Sequence, residues 1–540
     1  MDQDWYQNAV VYSLDVETFY DGNGDGIGDF MGLTAKLDYL QELGVNCLWL
    51  LPFFASPNRD NGYDVEDYFR IDPMLGNMAD FERFMAEVRR RGLKIIADLV
   101  INHTSHCHPW FQEARKGPAS PFYEYYIWSE KKPADIRDEN MFPGEEDTTF
   151  SYDPVAKAYY LHRFYKEQPD LNIANPKVRE EIREIMHFWL KKGIDGFRVD
   201  AAHILTQLDQ EFDEKEGRHS FEILDDLRRW AEEVNPNAVL IAEANAKPEE
   251  LQFYFGTGDL PNRMHGIFNF VANQYLFLAM AREKSLAFRQ GCEALPMPPP
   301  GCRYLNFIRH HDELTLDQLS PEELGQVLQA FAPEEDMQIY GRGIRRRLPP
   351  MFNNNRQRIE LIYSLMFSMP GIPLIRYGDE IGMGDDLRLP GRDSVRTVMQ
   401  WSAERSAGFS QLPSFDLQRP VIQEGEYHYE KVNVAAQLQH KNSLLHWFKK
   451  LIALRLAHPE IELRRFHWLD TNHNAIAARK YPSNSHALLL LHNLSSEKAT
   501  FGIPEKINPE NLKTLMGDVQ TEQENFNLKP YGYVWLKAGK

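Results

Sequence analysis

The chain has 540 residues, of which 43% are hydrophobic, so it has enough apolar side chains for a large core and more than one domain. Its 60 Lys and Arg residues stand against 79 Asp and Glu residues, a formal net charge of −19. This charge argues against a nucleic acid or an anionic membrane as a partner and suits an uncharged substrate.

The N-terminus, the length of the apolar runs and the cysteines lead us to expect a protein of the reducing cytoplasm. Residues Met1–Trp5 lack the basic and apolar stretches of a secretory signal, and no apolar run approaches the roughly 18 residues that span a bilayer. The four cysteines lack metal-ligand spacing, so we expect reduced thiols.

Eight apolar runs typical of buried parallel strands follow one another along the chain. They lie at 9–14, 47–52, 94–102, 196–201, 239–244, 266–270, 304–310 and 372–377. Amphipathic stretches with helix signals separate most of them, for example Asp80–Met85 and Val178–Ile182. Eight such alternations predict an α/β fold with a (β/α)8 barrel of the TIM type.

Three stretches do not fit the barrel repeat. The gap after the third run is too long for a loop, and a later insertion carries the basic run 341–347, for which an internal salt-bridge cluster or a solvated face is favoured over a binding patch. Beyond about His458, short alternating runs such as Ala487–Leu491 predict an antiparallel β-sandwich. The predicted order is barrel at 1–103, inserted domain at 104–161, barrel at 162–458 with a lid-like insertion at 321–355, and C-terminal sandwich at 459–540.

Four segments close apolar runs with carboxylates and their polar partners: Asp98–His103, Gly196–Asp200, Ala242–Asn245 and His310–Asp312. Parallel barrels carry their chemistry at the carboxyl ends of the strands, so three carboxylates, Asp200, Glu243 and Asp312, are expected to converge. A retaining glycosidase needs one ionised carboxylate as nucleophile and one protonated carboxyl, roughly 5 Å away, as acid. The three residues therefore predict cleavage of a glycosidic bond.

The surroundings suggest which carboxylate has which role. Asp200 suits the nucleophile, because Arg198 lies two residues earlier in a strand, points to the same side and keeps the carboxylate charged. Glu243 ends the more apolar run Val239–Ala242, so burial is expected to raise its pKa towards that of a working acid.

Asp312 lies beside His310 and His311 and is predicted to hold sugar hydroxyls and to stabilise a positively charged transition state. For any one of these carboxylates alone, a strand cap or a salt bridge is the simpler explanation. Four such segments in this order and spacing rarely arise by chance.

These motifs resemble the α-amylase superfamily of α-glucan-active enzymes, glycoside hydrolase family 13, over about residues 5–410. Further motifs of the same resemblance lie at 168–172 and 371–380. The resemblance implies that residues 104–161 form the B domain of this family. It also implies that Asp200 is the nucleophile, Glu243 the general acid/base and Asp312 the transition-state stabiliser. Three further residues are implied to surround the same sugar: His103, Arg198 and His311.

A second part of the resemblance concerns the end of the substrate pocket. Tyr63 resembles the platform on which the cleaved sugar stacks, and Asp60 with Arg396 resembles the pair that grips the 4- and 3-hydroxyls of a terminal glucose in exo-acting members. A buried charged pair there would close the pocket behind one glucosyl unit. The alternative is a surface salt bridge.

The loop after the first predicted strand suggests an ion site. Oxygen side chains alternate with glycines and suit a hard cation such as Ca²⁺, but the loop lacks the closing Glu of an EF-hand. It resembles the loop after strand one of the oligosaccharide α-glucosidase group, and the alternative is an Asx-turn loop without an ion. The expected ligands of a structural Ca²⁺ are Asp21, Asn23, Asp25, Asp29 and the Ile27 carbonyl; no organic cofactor is expected.

Within the exo-acting members, residues 311–316, 343–348 and 377–384 resemble the trehalose synthase (maltose α-D-glucosyltransferase) group. The resemblance implies small α-glucosides as partners, maltose and trehalose with sucrose as a further candidate, and glucosyl transfer inside a closed pocket. An α-glucosidase or an intermolecular α-glucosyltransferase is the alternative. A non-catalytic scaffold is disfavoured because all three carboxylates are present, and self-association is left open.

Three positions depart from the family pattern. His310 stands where the family usually has Asn, and Val398 stands where it has Pro. Gln207 replaces an acidic residue that, with the counterparts of Asn102 and Asp170, forms a second calcium site in the trehalose synthase group. These changes leave open hydrolysis or transfer to another acceptor.

Overall fold

The computed structural model describes residues 4–133, 140–206, 221–256, 261–462, 466–471, 473–483, 486–502, 511–522 and 525–539. Gln207 lies outside the described residues. The strands are β1 Val11–Leu14, β2 Cys47–Leu50, β3 Phe54–Ala55, β4 Asp67–Ile71, β5 Lys94–Leu99, β6 Trp128–Ser129, β7 Phe150–Asp153, β8 Ala158–Leu161, β9 Gly196–Val199, β10 Val239–Ala242, β11 Gly266–Phe268, β12 Arg303–Phe307, β13 Leu314–Thr315, β14 Gln338–Ile339, β15 Gly343–Ile344, β16 Ile372–Arg376, β17 His467–Trp468, β18 Ile476–Pro482, β19 His486–Asn493, β20 Ala499–Gly502, β21 Leu512–Gly517, β22 Gln520–Glu522, β23 Asn525–Leu528 and β24 Tyr533–Gly539. The helices are α1 Val16–Phe19, α2 Phe30–Ala35, α3 Leu37–Leu43, α4 Met78–Arg90, α5 Pro109–Ala114, α6 Pro176–Lys192, α7 Ala202–Leu205, α8 Glu222–Val234, α9 Pro248–Phe255, α10 Phe270–Arg282, α11 Ser285–Ala294, α12 Pro321–Phe331, α13 Leu348–Met351, α14 Arg356–Phe367, α15 Val434–Gln439 and α16 Leu444–Leu456.

Eight parallel strands close into a barrel, in the order β1, β16, β12, β11, β10, β9, β5 and β2. The eight apolar runs of the sequence supply these strands, so the predicted (β/α)8 barrel is confirmed. Most strands end before the predicted run does, because the last residues of each run leave the sheet and enter the loops at the carboxyl rim.

The helices around the barrel follow local signals. Helix α4 begins after Asn77, whose side chain accepts from the backbone N–H groups of Ala79 and Asp80, and its inward face carries Phe81 and Phe84. Capping and an apolar stripe at helical spacing together place this helix against the outside of the barrel.

Side chains that alternate along the strands fill the inside of the barrel. They are Val11, Cys47, Trp49, Ile96, Val239, Ile241, Phe268, Leu305, Phe307, Ile372 and Leu374. The guanidinium carbon of Arg198 lies 5.2 Å from the ring of Trp49 and 5.9 Å from the ring of Phe268. The upper layer of this core therefore supports the candidate active site.

The insertion after β5 carries the small antiparallel sheet β6–β8–β7. At its base, His103 and Asp170 form an antiparallel bridge. Asn102 donates to Asp170 at 3.4 Å, and Arg163 pairs with Asp170 at 2.6 Å. The chain thus leaves and re-enters the barrel at two adjoining residues.

The lid-like insertion contains α12, β14 and β15, and pairs with β13 in a second small sheet. Its basic run is largely internal: Arg346 lies 3.4 Å from Asp385, and buried Arg347 donates to the carbonyl of Tyr377 at 2.9 Å. This agrees with the predicted internal salt-bridge cluster. Arg342 of the same run instead borders the large cavity of the barrel.

The C-terminal region forms two antiparallel sheets, β17–β18–β19–β24–β21 and β20–β23–β22. Leu489, Leu491, Phe501, Phe526 and Val534 belong to one buried apolar cluster that both sheets share. The predicted sandwich is therefore confirmed. Among the described residues the cysteines are free, and no helix is long and apolar enough to cross a bilayer.

Candidate active site

Arg198 on β9 is the centre of a group of three carboxylates. Strand register places Asp98 of β5 directly beside Arg198, and the guanidinium donates to Asp98 at 2.5 Å and to the Asp200 carboxylate. Its second terminal nitrogen lies 2.7 Å from Oε1 of Glu243, which follows β10. The predicted nucleophile and the predicted acid thus contact the same guanidinium.

One guanidinium faces three carboxylates in this group, so it does not balance the negative charge of all three. Burial raises the pKa of Asp98 and raises that of Asp200 well above its ordinary value; Arg198 opposes both shifts, and Glu243 adds to the rise at Asp200. Burial thus works against the predicted effect of Arg198, which is to keep Asp200 charged.

The structure reverses the expected order of burial for the two reacting carboxyls. The side chain of Glu243 is 16% exposed and that of Asp200 is 7% exposed. The apolar run before Glu243 is buried as expected, but Glu243 lies beyond the end of β10 and opens into the cavity. Its Oε2 accepts a hydrogen bond from the backbone N–H of Ala201 at 3.0 Å.

Asp312, in the loop after β12, is surrounded by cationic and hydrogen-bonding groups. Nε2 of His311 lies 3.0 Å from its carboxylate, and Arg392 and Arg396 each donate to Oδ1 at 2.7 Å. Burial opposes ionisation, but these neighbours outweigh it and hold the pKa of Asp312 well below its ordinary value. The ring of Tyr63 stacks on His311 with 5.4 Å between centroids. Asp312 is therefore a fixed negative charge.

Asp60 at the end of the pocket has a closer partner than the one predicted. Arg396 lies 3.8 Å from Oδ1 of Asp60, whereas Arg392 donates to the same oxygen at 2.7 Å. The other terminal nitrogen of Arg392 donates to Asp312, so this one side chain bridges both carboxylates. Gln168, two residues before Asp170 at the base of the insertion after β5, donates to Oδ2 of Asp60 at 3.1 Å.

Sequence reasoning missed Arg392. It lies in the 3-10 turn Gly391–Val395, one turn before Arg396, and a second arginine at that distance is the signal in the sequence. The cluster of Asp60, Arg392 and Arg396 is buried, so the alternative of a surface salt bridge is wrong.

A cavity of about 420 Å³ opens above these groups. Three further predicted residues, Arg198, His311 and Arg396, contact the carboxylates of its lining. Six predicted residues line the cavity themselves: Asp60, Tyr63, His103, Asp200, Glu243 and Asp312. The insertions and neighbouring loops complete the wall with Phe142, Phe164, Asn245, His310, Glu313, Thr315, Asp317, Arg342 and Arg392.

The buried histidines of the cavity are neutral. Burial lowers the pKa of His103 to about 4, and it also lowers the pKa of His311 and, further, that of His310. A neutral imidazole both donates and accepts a hydrogen bond, which suits uncharged hydroxyl groups.

Two departures from the family pattern have visible local consequences. Nδ1 of His310 accepts from the backbone N–H of Asp312 at 3.3 Å, and the imidazole packs edge-on against Phe307. The backbone N–H of Val398 donates to the carbonyl of Pro420 at 3.2 Å, a bond that a proline at this position would lack.

The loop between α1 and α2 carries the predicted calcium ligands. Asp21 and Asp29 are buried, whereas Asn23 and Asp25 are exposed. Both buried aspartates accept backbone N–H groups at 2.6 Å, and Asn23 donates to Asp25 at 2.9 Å. Ile27 lies on the same loop. These are hydrogen bonds of the Asx-turn type, and they engage carboxylate oxygens that a calcium site would also use.

Comparisons with known proteins identify the family of the chain. Residues 15–289 and 344–463 match the family model of the α-amylase catalytic domain. A trehalose synthase of Thermus thermophilus is 42% identical over 514 residues, which cover 93% of this chain and 52% of the relative, so the chain spans about half of that protein. The trehalose synthase/amylase of Mycolicibacterium smegmatis is 41% identical over 88% of this chain and 80% of its own length.

Among solved structures, the trehalose-6-phosphate hydrolase of Bacillus licheniformis superposes with a TM-score of 0.77 at 26% identity, covering 99% of this chain and all of that one. The superposition therefore includes the barrel, its insertions and the C-terminal region. With the matched catalytic domain and the extensive identity to the two relatives, the chain belongs to the α-amylase family, glycoside hydrolase family 13.

Proposed function

We propose that the protein is a retaining, exo-acting enzyme of small α-glucosides that interconverts maltose and trehalose in the cytoplasm. The observation that carries the proposal is the cavity in which Asp200 and Glu243 share one guanidinium while Arg392 bridges Asp60 and Asp312. The names of the two relatives supply trehalose as a product, and maltose as its partner follows from the resemblance to the trehalose synthase group.

In the first step, the carboxylate of Asp200 attacks the anomeric carbon of the terminal glucose. The glycosidic bond of maltose breaks, and Glu243 gives its proton to the departing oxygen. The products are a β-glucosyl ester on Asp200 and a free glucose. Asp312, held ionised by His311 and the two arginines, stabilises the positive charge that develops on the sugar.

In the second step, the anomeric hydroxyl of the retained glucose attacks the ester. Glu243 accepts the proton of this hydroxyl, and the bond to Asp200 breaks to release α,α-1,1-linked trehalose. The same steps run in reverse from trehalose to maltose. Water competes for the ester, so isomerisation requires that the free glucose stays in place.

Contacts between the two insertions support this retention. Arg342 of the lid-like insertion donates to the carbonyl of Met141 in the first insertion at 2.9 Å. The rings of Phe142 and Tyr340 lie 5.3 Å apart, again one from each insertion. The two segments therefore meet beside the cavity, where they are placed to limit the escape of the free glucose.

The proposal is tested by following sugars over time after incubation with maltose, trehalose or sucrose. Trehalose from maltose with little free glucose, and maltose from trehalose, is the expected result. Glucose as the main product, or turnover confined to sucrose, would establish the alternative α-glucosidase or intermolecular transferase, which the word amylase in one relative's name favours.

Arg392→Lys is expected to lower kcat/KM for maltose by about 10²-fold, mainly through a higher KM. Lysine has one charged nitrogen and cannot bridge Asp60 and Asp312 as the fork of arginine does. The matched control is Arg388→Lys, whose exposed side chain pairs with Asp386, and it should keep full activity. A lower kcat/KM in Arg396→Lys together with an unchanged kcat/KM in Arg392→Lys would show that Arg396, not Arg392, binds the terminal glucose with Asp60.

A structural Ca²⁺ in the loop Asp21–Asp29 is part of the proposal. The carboxylate, amide and carbonyl oxygens of the loop form a donor set that suits a hard ion. Removal of Ca²⁺ with EGTA is expected to lower Tm by about 2–5 °C, and Asp25→Ala should remove the difference. Equal Tm with Ca²⁺ and with EGTA would identify the loop as hydrogen-bonded turns alone.

A further inference from the structure

A second group of ligating side chains lies outside the lining of the cavity, where the last helix of the barrel region meets the C-terminal sandwich. His458 follows α16, Glu460 belongs to the 3-10 turn Pro459–Glu462, and His486 is the first residue of β19. The side chains of His458, Glu460 and His486 are 10%, 10% and 15% exposed. The three side chains are therefore largely buried but still partly exposed to solvent.

The three side chains converge on one point. Nδ1 of His458 lies 2.9 Å from Oε1 of Glu460, and Nε2 of His486 lies 2.6 Å from the same oxygen. One ligand atom from each residue lies within 4.8 Å of the others. The proposed reaction uses none of the three.

Two imidazoles and one carboxylate form a donor set that zinc takes in proteins, with water in the fourth position. Bonds of about 2.05 Å in a tetrahedron place the donor atoms about 3.3 Å apart. The observed N–O distances of 2.9 and 2.6 Å are shorter by less than 1 Å, so small side-chain rotations would admit the ion.

The backbone already holds the donors in place. The N–H of Ile461 donates to the carbonyl of His458 at 3.1 Å, and Pro459 between the first two ligands has a fixed φ. Ser483 N–H donates to the carbonyl of His486 at 2.9 Å, and His486 N–H donates to Oγ of Ser483 at 3.2 Å. Little further ordering is needed to bind a metal.

We propose that His458, Glu460 and His486 form a Zn²⁺ site, with water as the fourth ligand, that fastens the C-terminal sandwich to the last barrel helix. The ion would join two segments that are separate in sequence, as a cross-link does. Bound to the folded chain and not to the unfolded one, it would raise the resistance of this junction to unfolding.

The test uses the full chain after removal of metals. Calorimetric titration with Zn²⁺ is expected to show one ion per chain, and Co²⁺ is expected to give the visible absorption bands of a tetrahedral site. Glu460→Gln and His486→Gln should each weaken Zn²⁺ binding by at least about 100-fold and abolish the bands. His467→Gln, an exposed histidine of the same sandwich, is the matched control and should bind as the parent does.

Turnover of maltose should be the same in all of these proteins, and Zn²⁺ should raise Tm only where the three ligands are intact. The absence of binding by the parent would overturn the proposal. Binding that survives in both ligand variants would also overturn it, because it would place the ion elsewhere, for example at His310, His311 and Asp312. If Glu460→Gln fails to fold, His486→Gln alone decides between these outcomes.

Discussion

Asp200→Asn is expected to lower kcat/KM for maltose by a factor on the order of 10⁴ or more. The amide oxygen is a far weaker nucleophile than the carboxylate, so no ester with the sugar forms. Asparagine has nearly the volume of aspartate and keeps an acceptor for Arg198, so the fold and Tm should change little. Initial rates of trehalose formation from maltose measure the loss.

The control for this substitution is Asp386→Asn, which also removes a carboxylate that contacts an arginine but lies outside the lining of the cavity. Its turnover should equal that of the parent. A loss of less than 10-fold in Asp200→Asn would remove Asp200 from the role of nucleophile. An equal loss in both variants would point to a general effect of charge.

Glu243→Gln is expected to lower kcat/KM for maltose by about 10³-fold or more, and kcat/KM for α-glucosyl fluoride by far less. Fluoride departs without a proton, so Asp200 is still glucosylated, whereas the departing oxygen of maltose needs the acid. The second step then lacks its base, so the glucosyl ester should accumulate. A burst of released fluoride and a gain of one glucosyl residue in the intact mass measure both effects.

Comparison of the two substrates within this one variant serves as its own control, since misfolding would impair both to the same degree. An equal loss with maltose and with the fluoride would contradict the acid role. The greater exposure of Glu243 fits a group that must exchange its proton with successive oxygens in the cavity.

Much of the fold followed from the sequence because two simple rules apply. Buried parallel strands read as apolar runs, and barrels present their chemistry at the carboxyl ends of those strands. Together the two rules predict that four segments, distant in sequence, meet at one rim of the barrel. The structure agrees, since Asp200, Glu243 and Asp312 line one cavity.

Details that depend on register or loop geometry did not follow. The pairing of Asp98 with Arg198 arises from the alignment of β5 with β9, which composition does not reveal. The choice between Arg392 and Arg396 as the nearer partner of Asp60 depends on the backbone of one irregular segment. The exposure of Glu243 depends on how far it extends past its strand.

The bridge between His103 and Asp170 bears on how such enzymes diversify. Because the inserted segment begins and ends at paired residues, its stem has the width of one ladder pair, whatever the segment contains. Evolution or an engineer could exchange this segment for a shorter or longer one without stretching the barrel. New selectivity could therefore arise by grafting, while the strand ends that carry the reacting carboxylates stay unaltered.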